Sequence, residues 1–595
     1  IGMSFPPAAV AAVSAQPEPK VVDTLDAVLP KQVIGRYDDR RLPEYGQYHF
    51  LQALLRTVAL RTLSRRDRKA RHLAAAQYMR TTYGESEMAE ILASHYLAAV
   101  AEVPDAPDAD EIRTSAGQAL ATAGRHTASL AEPEVARRYL EQAAELARNE
   151  DDRAQLLAEA GTAAARAADR EGARALLGEA IALHGAGGRT EAVARTQALV
   201  ADVLIGEERM EEAAALMDGA RASITDEAVL AELAARRARV AIHMGDYPLA
   251  YEEAQTALAI ADPRGLVAVV ADANLTKALV LGYERKLSEA TAACSLGLHL
   301  GLEADLSAQA LRGYNNLAGF RVGAGYPQDA LDLLESGIAL ARERGDRAWE
   351  RELLAQRITI RVHRGEWDEA ISEGDALREG AEDSAERVGW GARPVILAAR
   401  GDMAGLEQWL SRQLPVSEWQ EQALDDAVAR AAALFAVGSL QEAAQIAESA
   451  WADKQTASGA GGELYYFSNI VDILIAAGRW TALEDGIAAV AANAMPVLSG
   501  QLSWLRGLLH VRRGEDAEAQ SAFRQAISEL RAVDQPFAVA RALFDLGSCL
   551  ATAGKVSDAA RALDEARSLF AQLRATLWLD RAERALAPLA GWDRV

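Results

Sequence analysis

The short motifs typical of phosphate binding and of hydrolases are incomplete or absent in this chain. Its one Gly-Lys pair, Gly554-Lys555, is followed by Val556 and lacks the upstream glycine of a phosphate-binding loop. The glycine clusters at 184–189 and 458–463 follow predicted helices and do not fit a dinucleotide fingerprint. The motifs H-E-x-x-H and G-x-S-x-G are absent, and the nine histidines are scattered. We therefore predict a chain without catalytic activity, metal or cofactor.

A dense group of cations stands out against the acidic composition, in which the net charge is −23. This basic cluster consists of Arg61, Arg65, Arg66, Arg68, Lys69 and Arg71. It predicts an electrostatic contact with nucleic acid or with an acidic protein surface, the alternative being a solvated helix face. Asp23 and Asp26, on a preceding helix, would face phosphates unfavourably, so docking on protein is favoured over nucleic acid.

A helix breaker, four mostly polar residues and a small or branched apolar residue recur every 36 to 40 residues. The twelve copies begin at residues 131, 168, 208, 245, 285, 325, 365, 401, 438, 478, 514 and 554. In one unit, residues 347–380, apolar residues such as Leu353 and Ile358 recur at helical spacing, Gly365 ends the first helix and Trp367 starts the second. A fixed period of this kind predicts an all-α, right-handed α-solenoid of about twelve helix pairs over residues 111–590.

The pattern of a helix, a glycine, an aromatic residue and an alanine resembles the tetratricopeptide repeat, with units longer than its usual 34 residues. In such arrays the first helix of each pair lines a groove. Counting back from the turn glycines 245, 325 and 365 places a donor-rich strip there: Arg239, His243, Arg312, Asn315 and His363. The strip would suit a carboxylate, a phosphate or an acidic peptide end, and an ordinary polar groove wall is the alternative.

The first hundred residues differ from the repeats. The pattern predicts short helices over 6–16 and 19–32, short strands over 32–37 and 48–51, and a long helical stretch over 54–79. Helix, helix and hairpin are the layout of a small winged-helix domain, which we assign to residues 4–60. Residues 61–110 are then connecting helices that carry the basic cluster, and residues 1–3 are interpreted as a cloning scar because Ile1 and Gly2 precede Met3.

Residues 25–79 and 92–99, with Gly46-Gln47-Tyr48 and Leu63-Ser64-Arg65-Arg66, resemble the C-terminal region of a family of actinobacterial multidomain class III adenylate/guanylate cyclases. The resemblance extends over about residues 4 to 165. In that family a cyclase domain precedes an AAA/STAND-type ATPase, a winged helix and helical repeats. The resemblance therefore implies a regulatory region whose parent protein is a cyclase.

The resemblance implies a non-catalytic sensor region that binds a protein, a peptide or a small acidic ligand in the groove. It also implies that the basic cluster docks on the ATPase domain of the parent protein. Two alternatives stay open: the sensor region of a STAND-type transcriptional regulator, and a stand-alone tetratricopeptide scaffold.

Composition indicates the structural class and the cellular compartment of the protein. Half of the residues are hydrophobic and a quarter are charged, as in globular proteins. Cys294 and Cys549 lie far apart without metal-ligand spacing, which indicates reduced thiols and a cytoplasmic protein. No apolar run approaches the ~20 residues of a membrane helix, so we expect no membrane partner.

Overall fold

A computed structural model describes residues 3–37, 45–130, 132–379, 393–411, 420–456, 463–491 and 495–589. Within these ranges the chain forms thirty α-helices, three short 3-10 turns and three short strands. It divides into two compact units, Ile1–Val200 and Ala201–Val595. None of the described helices combines the length and the apolar character needed to cross a membrane.

The first unit begins with a small sheet and two helices. Its elements are β1 (Ser4–Phe5), α1 (Pro7–Ser14), α2 (Glu18–Val28), β2 (Ile34–Arg36) and β3 (Tyr48–Phe50), with a 3-10 turn at Leu29–Lys31. β3 is the central strand and pairs antiparallel with both neighbours. Tyr48, only 1% exposed, packs with Phe5 and Ile34, and its hydroxyl donates to Asp26 Oδ1 at 2.6 Å. This bond ties α2 to the sheet.

The structure differs from the sequence prediction at two places in this region. It contains an additional strand, β1, which was not predicted because two residues are too few to show the alternation that marks a strand. The helical stretch predicted over 54–79 is two helices, α3 (Ala53–Arg61) and α4 (Arg65–Tyr83). The break lies at Ser64, whose hydroxyl accepts the backbone N–H of Asp67 at 3.1 Å and so caps α4. Residues 38–44 of the predicted hairpin turn lie outside the described residues.

The rest of the first unit consists of antiparallel helices that pack on their neighbours in sequence. They are α5 (Ala89–Glu102), α6 (Ala109–Ser129), α7 (Pro133–Glu145), α8 (Glu150–Arg166), α9 (Arg170–Ala186) and α10 (Thr190–Gly206), the last of which contains the division between the units. Their interfaces are built largely from alanine, as at Ala136, Ala160 and Ala173, which have no exposed surface. Small side chains let neighbouring helix axes approach closely.

The second unit continues the same alternation of helices. Its helices are α11 (Met210–Arg221), α12 (Glu227–His243), α13 (Tyr247–Ala261), α14 (Val267–Tyr283), α15 (Leu287–Glu303), α16 (Ser307–Gly323), α17 (Pro327–Glu343), α18 (Arg347–His363), α19 (Trp367–Glu379), α20 (Arg393–Arg400), α21 (Met403–Leu410), α22 (Gln420–Ala436), α23 (Leu440–Thr456), α24 (Glu463–Ala476), α25 (Trp480–Ala491), α26 (Ser499–Arg513), α27 (Asp516–Ala532), α28 (Pro536–Thr552), α29 (Val556–Gln572) and α30 (Thr576–Leu586). Further 3-10 turns lie at Asp262–Arg264 and Pro496–Leu498.

The helix reversals fall where the repeated signature predicts them. Every described signature start has a positive φ: Ala168, Glu208, Gly245, Arg285, Gly325, Gly365, Gly401, Gly438, Gly478, Gly514 and Gly554. The first signature start, residue 131, lies outside the described residues. Three of these positions carry a side chain in the left-handed region, a conformation that glycine adopts at lower cost. The predicted all-α, solenoid-like array of helix pairs is confirmed.

The contacts between successive helices indicate the direction in which the second unit curves. The first helices of successive pairs pack directly on one another, α12 on α14 and α14 on α16. Contacts between the successive second helices α13, α15 and α17 are much sparser. The first helices therefore lie on the inner side of the curve, and we call the surface they line the groove.

Within the second unit, a turn packs against helix pairs that come much later in the chain. The turn between α18 and α19 meets the first residue of α28 and the C-cap of α29, a helix pair that comes five pairs further on. A Cβ atom added at Gly365 would lie 2.5 Å from Leu573 Cδ2 and 2.9 Å from Pro536 Cγ. Trp367 is buried beside it, with its ring centroid 5.2 Å from that of Phe537.

The turns on either side make the same kind of contact. A Cβ atom at Gly325 would lie 3.1 Å from Val533 Cγ1, and one at Gly401 would lie 3.4 Å from Leu577 Cγ. We call this row of contacts the seam. Three successive repeats thus stack on the C-terminal repeats, a long-range packing that the local signature does not encode.

Candidate ligand-binding groove

The residues predicted to line the groove all lie on first helices. Arg239 and His243 belong to α12, Arg312 and Asn315 to α16, and His363 to α18. The packing of α12, α14 and α16 brings Arg239, His243 and Arg312 within electrostatic reach of one another. No described contact joins Asn315 or His363 to that group.

The most buried member of the strip is Arg312, which is 5% exposed. Its guanidinium donates to Asp272 Oδ1 at 2.7 Å and to Thr276 Oγ1 at 2.6 Å, both on α14. Asp272 and Thr276 are themselves buried. These charge-assisted hydrogen bonds use much of the donor capacity of Arg312, which the sequence pattern had assigned to a ligand.

Further pairs extend from Asp272 toward the N-terminal end of the groove. Arg236 on α12 lies 3.4 Å from Asp272 Oδ2 and 3.4 Å from Asp202 Oδ2, the latter on α10. Arg239 also pairs with Asp202. We call these five side chains the arginine–aspartate cluster: Asp202, Arg236, Arg239, Asp272 and Arg312. Three guanidinium charges against two carboxylates leave one positive charge in excess.

Burial and the charges of neighbouring side chains shift the pKa values of the residues in the cluster. Burial alone would raise the pKa of Asp272, but Arg312, Arg236 and Arg239 hold it below its usual value. Burial lowers the pKa of Arg239 to about 10, the net result after Asp272 opposes and Arg312 adds to the shift. Burial likewise lowers the pKa of Arg312. Arg239 and Asp272 are therefore charged at neutral pH.

The histidines of the strip are not cations at neutral pH. Burial, together with Arg239 and Arg312, lowers the pKa of His243 to about 3. Burial lowers the pKa of His363 to about 4. Both rings can offer one donor and one acceptor, and no group of three or more potential metal ligands exists among the described residues.

Two amide oxygens on neighbouring first helices lack hydrogen-bond partners among the described residues. They are Asn315 Oδ1 on α16 and Gln356 Oε1 on α18, both buried atoms. A buried polar atom without a partner is costly, and such atoms often mark a place where a bound group completes the bonding. The first helices thus carry an excess of arginine over aspartate and two buried acceptors without partners among the described residues.

A second polar group on first helices was not predicted from the sequence. Arg541 on α28 pairs with Asp472 Oδ1 on α24 at 2.6 Å, and its guanidinium carbon lies 3.9 Å from the ring centroid of Trp578 on α30. On α26, Trp504 Nε1 donates to Asp545 Oδ2 at 2.7 Å. Burial raises the pKa of Asp545 to about 6, although Arg541 and the Trp504 hydrogen bond oppose the shift.

The signal for this second group was present in the sequence. Arg541 stands thirteen residues before Gly554, as Arg312 stands thirteen residues before Gly325. Trp504 stands ten residues before the turn glycine that ends its helix. The same counting, applied to the last repeats as well, would have found these positions.

The structure divides the basic cluster into two parts. Arg68 forms a two-bond pair with Glu102 at 2.6 and 2.7 Å, Lys69 pairs with Asp108, and Arg71 donates to the backbone of Val13. These three cations fasten α4 to the rest of the first unit. The other three, Arg61, Arg65 and Arg66, are exposed. Arg65 also makes two long contacts with α5, to Ala101 O at 3.4 Å and to Glu102 Oε2 at 3.9 Å.

No protein-family profile matches this chain, and no curated protein matches it. Among solved structures, it is similar to a chain of the APC/C hetero-tetramer Cut9–Hcn1, with a TM-score of 0.43 and 13% identity over 80% of this chain and 91% of that chain. For aspartyl phosphate phosphatase F from Bacillus subtilis the TM-score is 0.34, with 13% identity over 48% of this chain and 74% of that one. For a STAND protein with a tetratricopeptide repeat sensor from Pyrococcus horikoshii the TM-score is 0.30, with 11% identity over 60% and 57%. Similarities at this level carry no functional information.

Proposed function

We propose that this chain is the non-catalytic sensor and partner-binding region of a signalling protein, and that its groove binds the acidic end of a peptide or a small carboxylate. The observation that carries the proposal is the arginine–aspartate cluster on α10, α12, α14 and α16, which has one positive charge in excess. A carboxylate would neutralise that charge in a partly buried site, where electrostatic attraction exceeds that in water.

Arg236 and Arg239 are the two arginines of the cluster that keep exposed surface for a ligand. Their side chains are 24% and 16% exposed, whereas those of Arg312 and Asp272 are 6% exposed each. A change of rotamer at Asn315 and Gln356 would bring their buried, unpaired oxygens to the groove surface, where they could accept backbone N–H groups of a peptide. The combination favours a peptide with a free carboxylate over a bare anion.

The signalling role rests on the resemblance of residues 4–165 to the cyclase family. A strand, two helices and a two-stranded hairpin in residues 4–50 support a winged-helix-like domain. We place this domain after a STAND-type ATPase in a cytoplasmic cyclase, with the basic cluster docking on that ATPase. The sensor region of a STAND-type transcriptional regulator would use the same surfaces, and identification of the domain that precedes residue 4 separates the two.

Titration calorimetry with peptides tests the groove. We expect peptides with a free C-terminal carboxylate to bind about tenfold more tightly than their amidated forms, a difference of about 1.4 kcal/mol. Arg239→Gln should remove that preference. The matched control is Arg479→Gln, because Arg479 pairs with Glu448 at 3.3 Å outside the cluster. Equal binding of acid and amide, or an unchanged preference in Arg239→Gln, would refute the proposed ligand class.

A further inference from the structure

Helix α3 carries large apolar side chains and buries none of its residues. Leu54 is 68% exposed and Val58, one helical turn later, is 53% exposed. Leu51, just before the helix, is 49% exposed. Spacing of four residues puts Leu54 and Val58 on one face of the helix, and the exposed Leu51 precedes its first turn. The described structure therefore leaves an apolar stripe facing solvent.

The length of α3 makes its exposure physically unusual. A helix of nine residues is marginal in water on its own, because nucleation is costly and few hydrogen bonds repay it. Most helices of this length gain stability by packing an apolar face on the protein. Since α3 buries no side chain in the described structure, a covering surface would supply the missing packing.

Cations border the stripe. Arg61 follows Val58 by three residues and Leu54 by seven, which places it at the end of the same face. Arg65, whose side chain is 66% exposed, begins the next helix, and Arg66 beside it is exposed as well. An apolar stripe that ends in three exposed arginines is complementary to an apolar strip bordered by carboxylates.

We propose that the face formed by Leu51, Leu54, Val58, Arg61 and Arg65 is a docking surface for an acidic amphipathic helix of a partner protein. This proposal deepens the docking role assigned to the basic cluster and adds the apolar anchor. Apolar contacts supply the affinity, and the arginines set orientation and the rate of encounter.

The observations favour this occupant over three others. A second copy of the chain, placed symmetrically on the same face, would offer the arginines no carboxylate, since α3 contains none. An anionic membrane would repel a chain with a net charge of −23. Nucleic acid would use the arginines but would leave the stripe of Leu54 and Val58 uncovered.

Three labelled helical peptides of about eighteen residues, or five turns, provide the probe. They share one leucine stripe and differ in carrying Glu, Gln or Lys on the remaining positions. We expect the Glu peptide to bind the whole chain about tenfold more tightly than the Lys peptide and to lose affinity as salt rises. Hydrogen exchange of the α3 amides should slow when the Glu peptide is added.

Two variants locate the binding. Leu54→Gln with Val58→Gln, and Arg61→Glu with Arg65→Glu, should each weaken the Glu peptide about tenfold. The matched controls are Leu296→Gln with Leu302→Gln, exposed leucines of α15, and Arg561→Glu with Arg567→Glu, exposed arginines of α29. Peptide binding in the groove, measured in parallel, should be unchanged in both α3 variants, so that failure of the docking surface is distinguishable from failure of the groove.

The proposal is overturned if the Glu peptide does not bind, if the Lys peptide binds equally well, or if the α3 variants bind like the parent chain. Sedimentation that shows a dimer abolished by Leu54→Gln with Val58→Gln would make the face a self-interface instead. Retention on phosphatidylglycerol vesicles, or on duplex DNA, that depends on α3 would assign the face to a membrane or to nucleic acid.

Discussion

Gly365 and Leu573 approach each other so closely that a side chain at Gly365 has no room. The Cδ2 atom of Leu573 lies 2.5 Å from the position that a Cβ atom of residue 365 would take. Gly365 also has a φ of +75°, which by itself favours glycine. One residue therefore ends a helix and permits the contact between distant repeats.

Gly365→Ala should destabilise the second unit more than a positive φ alone explains. Gly245 provides the matched control, because its φ is +76° and a Cβ atom there would meet nothing within 4 Å. We expect Gly245→Ala to cost about 1 kcal/mol, and Gly365→Ala to cost a further 1–3 kcal/mol, roughly, from overpacking against Leu573. Urea unfolding of both variants measures the difference, and equal losses would show that the seam does not form in solution.

Arg312→Met should be strongly destabilising. The change leaves Asp272 buried without its closest partner, and breaking a buried pair costs about 3 kcal/mol or more. Arg513→Met is the control, since Arg513 forms an exposed pair with Glu484 at 3.1 Å and should cost no more than about 1 kcal/mol. Comparable melting temperatures for the two variants would contradict the burial of the Arg312 pair.

Asp545 should make stability depend on pH in the opposite sense from an ordinary ion-paired carboxylate. Because its folded pKa of about 6 lies above the ordinary value of 3.8, its neutral form stabilises the fold fully below pH 3.8, and this contribution is lost as pH rises through about 6. Asp545→Asn keeps an oxygen acceptor for Trp504 but does not titrate. Relative to that variant, the parent chain should lose stability between pH 4 and 7, by up to about 3 kcal/mol. Parallel pH profiles for the two proteins would show that Asp545 is ionised normally.

Arg68→Glu and Arg66→Glu should behave differently although the residues are two positions apart. Arg68 holds Glu102 through two hydrogen bonds and donates to Leu63 O at 2.7 Å, so reversal places two carboxylates together. Arg66 is exposed, and its reversal should leave the melting temperature of the first unit almost unchanged. Circular dichroism during heating tests both, and a stable Arg68→Glu variant would show that the α4–α5 contact is dispensable.

The purified chain should show no turnover of ATP, because Gly554-Lys555 lies in a helix-reversal turn and the rest of a phosphate loop is missing. The check is phosphate release and cyclic-nucleotide production with magnesium or manganese. Activity that stays proportional to protein through successive purification steps would contradict this expectation.

The turns of the solenoid were predictable because their cause is local. A helix that reverses direction needs one left-handed residue, and the signature starts provide it even at Ala168, Glu208 and Arg285. The position of Arg312 and Arg239 on first helices followed from the same counting. The break at Ser64 was not predicted, because the apolar spacing on either side continued through it.

The partners of the groove arginines were not predictable in this way. Asp272 and Arg312 occupy the same position of successive repeats, forty residues apart, and only the packing of α14 on α16 brings them together. The seam was equally hidden, since it joins surfaces that no sequence periodicity relates. Within the repeats, the sequence predicted the helix reversals but not which residues of different repeats would contact each other.

The seam also limits how this repeat array could change in length. Ordinary solenoids can gain or lose a unit anywhere, because each repeat touches only its neighbours. Here Gly325, Gly365 and Gly401 must each meet a set partner in the C-terminal repeats. Removing one helix pair between α19 and α28 would shift the register of the seam by a full repeat, so that none of the three turns would keep its present partner. The number of repeats within that stretch is therefore a fixed property of the second unit, as it is in a closed ring.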